Sequence, residues 1–384
     1  MVKVCHVISG YYRNDTRIFQ RQCKSLSKYF YEVSILTNDG IGNELIDKIN
    51  IYSTEKTWKR GLKLFLFSKY QFKNLALNIN ADIYQLHSPE LIMLGLYLKK
   101  KGKIVIYDAH EDMPNHILEK EWIPIYFRKI VSIVVSKFMN YALKNYDEIV
   151  SPHSHVVNYF NKRGLNATLI ANFPIVSQIP DLTFEKYISN ESLLCYSGTV
   201  YSYSNQESIL NAMQDLPTLH YQIAGYIDND YLESLKIYNS FNRLKLLGRI
   251  SHRELIDFYR NSLIGIVIYD YKLNLGFNLG SYGTNKIFEY MEAGLPIICT
   301  NYILWKEIVD KYDCGICVEP NNPQQIISAI TYLLNDKRKA FEMGQNGKRA
   351  VVSEFNWGVE ERKYIKLFDK YKFNNTESSN EISK

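Results

Sequence analysis

Short apolar runs alternating with segments of helical length constrain this chain more than any other feature. Strand-like runs stand at Val2–Ile8, Glu32–Leu36, Asp82–His87, Lys103–Tyr107, Glu148–Val150 and Thr168–Ala171. Between them Thr16–Tyr29, Gly61–Asn78, Glu90–Lys100, Ile125–Asn145 and His155–Arg163 carry apolar residues at helical spacing. Strands buried on both faces read as continuous apolar runs, and helices between them make the crossovers of a parallel sheet. The rhythm breaks at Asn172–Asp181, NFPIVSQIPD, where two prolines interrupt any period. It then restarts, with strands at Leu193–Ser197, Tyr221–Ala224, Lys245–Leu247, Ile264–Ile268, Ile297–Thr300 and Gly315–Val318. The chain of 384 residues is too long for one ordinary core. Two doubly wound α/β domains are therefore expected, over residues 1–172 and 182–355. A helix over 356–373 is expected to pack back toward the first domain, and residues 374–384 to form a disordered tail.

Composition narrows the class. Hydrophobic residues make up 46% and charged residues 22%, which is globular. Six scattered cysteines fit a reduced protein better than a disulfide framework. No cationic leader precedes the first strand and no apolar run reaches spanning length, so a cytoplasmic location is expected. The net charge of +6 divides unevenly, +9 over residues 1–180 and −3 over the remainder. Between Lys56 and Ala81 lie six basic residues and no acidic one, interleaved with Trp58, Phe65, Phe67 and Phe72. A second basic, aromatic stretch runs from Trp122 to Lys144. Such helices suit the inner face of an anionic membrane as a peripheral site; packing on the sheet with solvated lysines is the plain alternative. No nucleic-acid module appears, so no nucleic-acid partner is expected.

In a doubly wound sheet ligands sit beyond the carboxyl ends of the strands. Gly283 to Thr300, GTNKIFEYMEAGLPIICT, places a small-residue loop before a helix whose free N–H groups and dipole suit a phosphate. Gly283, Thr284, Asn285 and Lys286 would line a diphosphate, and Glu289 could accept from two neighbouring hydroxyls of a ribose. The plain alternative is an amphipathic helix with solvated Lys286 and Glu289. At the first strand end, Ser9 and Gly10 permit close approach of a ligand and Arg17 suits a phosphate or acidic sugar. Equally, Asp15 caps the next helix and Arg17 is solvated. Asp228-Asn229-Asp230 has the spacing of a metal clamp but the position of a helix cap. Cys314 and Cys317 have redox spacing but no second pair for zinc. His153 and His155 lack a third ligand, so no metal and no cofactor are expected.

KIFEYMEAGLPII resembles the signature of glycosyltransferase family 4, as do Asp15–Thr37, YQLHSPELIMLGLYL, YDAHEDMP and LLGRI, in family order. The resemblance implies the GT-B fold, two Rossmann-like domains facing across a cleft, and a retaining transfer without metal. The donor would be a nucleotide diphosphate sugar and the acceptor a saccharide hydroxyl, expected to be lipid-linked, in surface polysaccharide synthesis (O-antigen or capsule). It implies that Glu289 holds the donor ribose and that His110 bonds the transferred sugar, with Glu111 or Asp112 fixing its tautomer. Gly198, Thr199, Arg249 and Ile250 fall on the donor side, and Ser9, Gly10, Asp15, Arg17, His87 and Glu111 on the acceptor side. The chain departs from the family at Ser281, where a first glutamate is usual, and after Gly198, where an Arg/Lys pair is usual. A non-catalytic sugar-nucleotide-binding or scaffold protein is the rival reading, and a nucleotide-sugar epimerase a third.

Overall fold

The computed structural model describes residues 1–55, 62–120, 122–176 and 181–381. It divides into two compact units, Met1–Asn172 with Trp357–Lys384, and Phe173–Asn356.

The first unit is an eight-stranded sheet of β1 (Lys3–Val7), β2 (Glu32–Thr37), β3 (Glu44–Ile46), β4 (Ile49–Ser53), β5 (Ile83–Leu86), β6 (Ile104–Asp108), β7 (Glu148–Ser151) and β8 (Ala167–Leu169). Their order is β3-β4-β2-β1-β5-β6-β7-β8, parallel throughout except for the β3–β4 pair. Along β1 successive side chains enter opposite cores, Cys5 and Val7 on one face, Val4 and Ile8 on the other. The helix Trp357–Glu381 closes the second face: Trp357 donates to Ser25 Oγ at 2.9 Å, and Tyr364 and Phe368 join the core. That helix is described to Glu381, through the segment expected as a tail; no proline or glycine follows Val359 to stop it. The β3–β4 hairpin was not expected. Its turn residues Asp47 and Lys48 take left-handed φ of 49° and 67° without the usual glycine, so its signal is weak.

The second unit is a six-stranded, wholly parallel sheet of β9 (Leu193–Ser197), β10 (His220–Ala224), β11 (Leu244–Gly248), β12 (Ile264–Val267), β13 (Ile297–Thr300) and β14 (Gly315–Val318). Its order is β11-β10-β9-β12-β13-β14. Both sheets thus reverse their winding once, at β1/β5 and at β9/β12, and a crevice opens beyond the strand ends at such a reversal. Cys317 lies on β14 opposite Cys299 of β13, sulfurs 3.7 Å apart, so the Cys314–Cys317 spacing belongs to a strand.

Of the first basic stretch, residues 56–61 lie outside the described residues; helix Leu62–Ile79 follows them. The second stretch forms helix Ile125–Leu143. None of the described helices is long and apolar enough to cross a membrane.

Candidate active site

In the first unit the ends of β1, β5 and β6 bring together Ser9, Gly10, His87 and His110. Gly10 turns the chain at φ 70°, a left-handed value glycine takes without strain. Ser9 is buried, and its carbonyl accepts from Ser88 Oγ at 3.0 Å.

The organising group is Asp108, the last residue of β6 and fully buried. Its two oxygens accept from Arg17 Nη2 (2.9 Å) and Nε (3.1 Å), and Oδ2 also from Gln22 (2.7 Å) and Gln85 (3.2 Å). Burial would raise this carboxyl, but Arg17 and His110 outweigh it and hold it well below the usual carboxylate range. Arg17 further donates to the Ile170 carbonyl and to Asn172 Oδ1, at 2.8 and 2.6 Å. Its reading as a ligand for a phosphate or acidic sugar is therefore corrected: the guanidinium is 4% exposed and bound within its own unit. Asp15 caps the helix Thr16–Cys23 through the N–H groups of Arg17 and Ile18. That helix opens with a wide i→i+5 bond from Gln20 N to Asp15 O.

Three histidines form a chain. His6 Nδ1 is 2.9 Å from His87 Nε2, and His87 Nδ1 is 3.1 Å from His110 Nε2. Burial pushes His87 down to about 4, and lowers His6 well below its ordinary value with the neighbouring His87 adding to it, so both are neutral. His6 Nε2 is buried without a partner, so the proton of His6 sits on Nδ1 and goes to His87 Nε2. His87 then carries its own proton on Nδ1. That proton faces Asp108 Oδ2 at 3.3 Å and His110 Nε2 at 3.1 Å. The carboxylate beside His110 is Asp108, at 3.5 Å, in place of Glu111 or Asp112. Glu111 lies 2.5 Å from His116 Nδ1, and Asp112 caps helix Met113–Leu118.

His87, Asp108 and His110 have ligand atoms within 4.8 Å of one another, the spacing of a metal site. The donor set does not fit one. Asp108 is saturated and paired with a guanidinium, and His87 presents a proton.

In the second unit the ends of β9 and β12 meet the start of helix Asn285–Glu292. Gly198 has φ 104°, and a Cβ built there would lie 3.0 Å from Lys286 Cε and Nζ. Gly225 is equally constrained, since its Cβ would fall 2.0 Å from the Gly198 carbonyl. Thr199 follows, its carbonyl accepting from Tyr196 at 2.9 Å. The Lys286 ammonium sits over the Tyr196 and Tyr269 rings, at 5.2 and 5.7 Å, and has no carboxylate partner among the described residues. Thr284 occupies the N-cap without a side-chain bond, and Asn285 Oδ1 is buried without a partner. One turn along, Glu289 is half-buried; its Oε2 accepts from Tyr259 at 2.9 Å, and Tyr259 lies 2.7 Å from Ser197 Oγ. One phenol has one proton, so Ser197 donates to Tyr259 and Tyr259 to Glu289.

Ser281 is buried in the turn before this helix, accepting from Gly283 N at 2.9 Å and, through its carbonyl, from Trp305. Arg249 is exposed and Ile250 half-buried, just beyond β11. Asp228 caps helix Asn229–Leu235 through the N–H groups of Asp230 and Tyr231. Asp108, His6, Tyr259 and Ser197 were not singled out by sequence. Asp108 alone left a signal, a carboxylate ending an otherwise apolar strand.

Fold and site define a two-domain α/β protein of the GT-B fold. Residues 181–350 match the family model described as glycosyl transferases group 1, so the second unit carries a domain of that family. Two uncharacterized glycosyltransferases of Methanocaldococcus jannaschii are similar to the chain. One is 25% identical over 317 residues, 80% of this chain and 71% of that protein. The other is 23% identical over 225 residues, 57% of this chain and 58% of that protein. Among solved structures, a sucrose-phosphate synthase from Thermosynechococcus elongatus superposes with a TM-score of 0.76 at 16% identity, covering 97% of this chain and 99% of that one. HepE of Anabaena, in complex with UDP and glucose, gives 0.70 at 12%, covering 96% and 100%.

Proposed function

We propose that the chain is a retaining, metal-independent glycosyltransferase that moves a sugar from a nucleotide diphosphate sugar to a saccharide hydroxyl. The observation that carries this reading is the placement of Lys286. An unpaired ammonium stands over the open face of Gly198, beside an uncapped helix start, within a glycosyl transferases group 1 domain. A diphosphate there would meet a point charge and backbone N–H groups without side-chain obstruction. Glu289, held through Oε2 by Tyr259, keeps Oε1 for ribose hydroxyls. His110 would bond the transferred sugar. The acceptor oxygen would bond to the anomeric carbon on the face from which the diphosphate leaves, its proton passing to the departing phosphate oxygen. Lys286 would stabilise the charge that develops there.

The test is a thermal-shift panel of nucleotide sugars on the full chain, starting with UDP-glucose because HepE holds UDP, followed by transfer assays. A raised melting temperature with transfer to a saccharide supports the enzyme. Binding without transfer to any acceptor favours the non-catalytic reading, to which the structural role of Ser281 lends its support.

We further propose that the acceptor is lipid-linked, in cytoplasmic synthesis of a surface polysaccharide, and that helix Ile125–Leu143 rests on an anionic membrane. Tyr126, Ile130, Ile133, Val134 and Tyr141 share its exposed side, with Lys129, Lys137 and Lys144 among them. Solvent-facing helix surfaces are ordinarily polar, and an apolar row edged by lysines matches an anionic interface. Salt-sensitive binding to anionic vesicles, lost in Ile130→Glu/Val134→Glu, is the expected result. Binding to neither neutral nor anionic vesicles would sink it.

A further inference from the structure

The pocket at the strand ends of the first unit carries an inference about charge. It is lined by Tyr11, Ser88, Glu90, Tyr107, His110 and Glu111, among others, with no lysine or arginine. The guanidinium behind it, Arg17, is cancelled by Asp108 in a two-pronged pair and is sealed from the pocket by burial. Of the two lining carboxylates, Glu111 shares an oxygen with His116. Glu90 is half-buried and has no partner among the described residues. An uncompensated carboxylate accepts well from neighbouring hydroxyls and repels a second anion. The Tyr11 ring, 4.8 Å from the His110 ring, gives the same space an apolar wall against which a pyranose can lie.

We infer that this pocket admits an uncharged, hydroxyl-rich sugar and turns away phosphorylated or carboxylated ones. The inference rests on the reading of the first unit as the acceptor side and specifies the class of acceptor it takes, with His110 at the edge where the acceptor would meet the transferred sugar. It replaces the anionic sugar that Arg17 suggested in the sequence.

Saturation-transfer NMR on the full chain tests this, with methyl glucoside and N-acetylglucosamine as neutral probes and glucuronic acid and glucose 6-phosphate as charged ones. Neutral probes are expected to bind about tenfold more tightly at low salt. Glu90→Gln, an isosteric change at a half-exposed site, should narrow that ratio toward one with an unchanged thermal melt. Tyr11→Ala should weaken the neutral probes. Charged probes that bind the wild type as tightly as neutral ones, while still depending on Tyr11, overturn the charge inference and leave the acceptor reading standing. If no probe binds, or binding is indifferent to Tyr11→Ala, the acceptor reading of the first unit fails and the inference falls with it.

Discussion

The two sheets end in polar clusters of opposite construction. In the first unit Asp108 is buried beneath four hydrogen bonds from Arg17, Gln22 and Gln85, and the guanidinium and carboxylate of that pair meet each other. In the second unit Lys286 and Glu289 stand one turn apart on a helix start, the cation without a carboxylate and the carboxylate with one oxygen held. The first cluster is closed and fixes geometry. The second is open and leaves charge for a ligand. The same residue types, a basic side chain and a carboxylate, therefore neutralise each other in one unit and stay apart in the other, according to whether they meet inside the protein.

Substitutions should separate the two. Asp108→Ala leaves Arg17 buried and unpaired, which costs about 3–5 kcal/mol, so the largest effect is expected on stability. A thermal melt within a few degrees of wild type would show that the cluster is not closed as described. Acid should act on the same place. His6 and His87 have folded pKa values below their unfolded ones, so the unfolded state binds protons that the folded state refuses. Stability present above about 6.5 is then lost as pH falls toward about 4. The carboxyl of Asp108, held down in the fold, adds its loss only below its usual 3.8. His87→Gln should show a smaller fall in melting temperature between about pH 7 and pH 5 than wild type; an equal fall places the sensitivity elsewhere.

The open cluster predicts losses of function with the fold intact. Glu289→Ala should reduce donor affinity and turnover by at least about tenfold, the loss of a charged hydrogen-bonding group to a ligand. Unchanged kinetics in a folded variant would remove Glu289 from the donor site. Tyr259→Phe should act more weakly, at about 1 kcal/mol, because it frees Glu289 to turn without deleting the carboxylate. The donor KM should rise while kcat holds; a fall in kcat alone would assign Tyr259 a different part.

Much of this architecture was legible in the sequence because buried parallel strands are apolar throughout. Leu193–Ser197, Ile297–Thr300 and Gly315–Val318 need no partner to be recognised. The β3–β4 hairpin was not, since Asp47 and Lys48 give no glycine at a turn that needs left-handed residues. In the site, Gly198, Lys286 and Glu289 lie in motifs that local spacing exposes. The Arg17–Asp108 pair does not: its members are 91 residues apart, and nothing in either segment names the other as its partner. Likewise the partner of Glu289 is Tyr259, 30 residues earlier on another helix, and no pattern marks that phenol as the one facing the carboxylate. Periodicity reports burial, whereas the pairing of charges is settled only when strands from distant segments come side by side.

The smallest expected effect is none, and it bears on both clusters. Two places among the described residues invite a cation. Asp228 and Asp230 have clamp spacing, yet Asp228 Oδ1 accepts from the N–H groups of Asp230 and Tyr231, at 3.0 and 3.3 Å, and so closes the first turn of a helix. His87, Asp108 and His110 have clustered ligand atoms, yet the carboxylate is committed to Arg17 and the imidazole of His87 points a proton at the place a metal would take. A divalent ion there would have to displace the Arg17 pair and stand beside an uncompensated guanidinium. In the function proposed here, the charge that a metal would otherwise neutralise on a diphosphate would fall to Lys286 and the helix start at Asn285. Enzyme treated with EDTA should therefore transfer sugar at the untreated rate, and added Mg²⁺ or Mn²⁺ should not raise it. A rate that collapses on chelation and returns with either ion would show that one of these clusters is open after all, and the contrast between the two units would have to be redrawn.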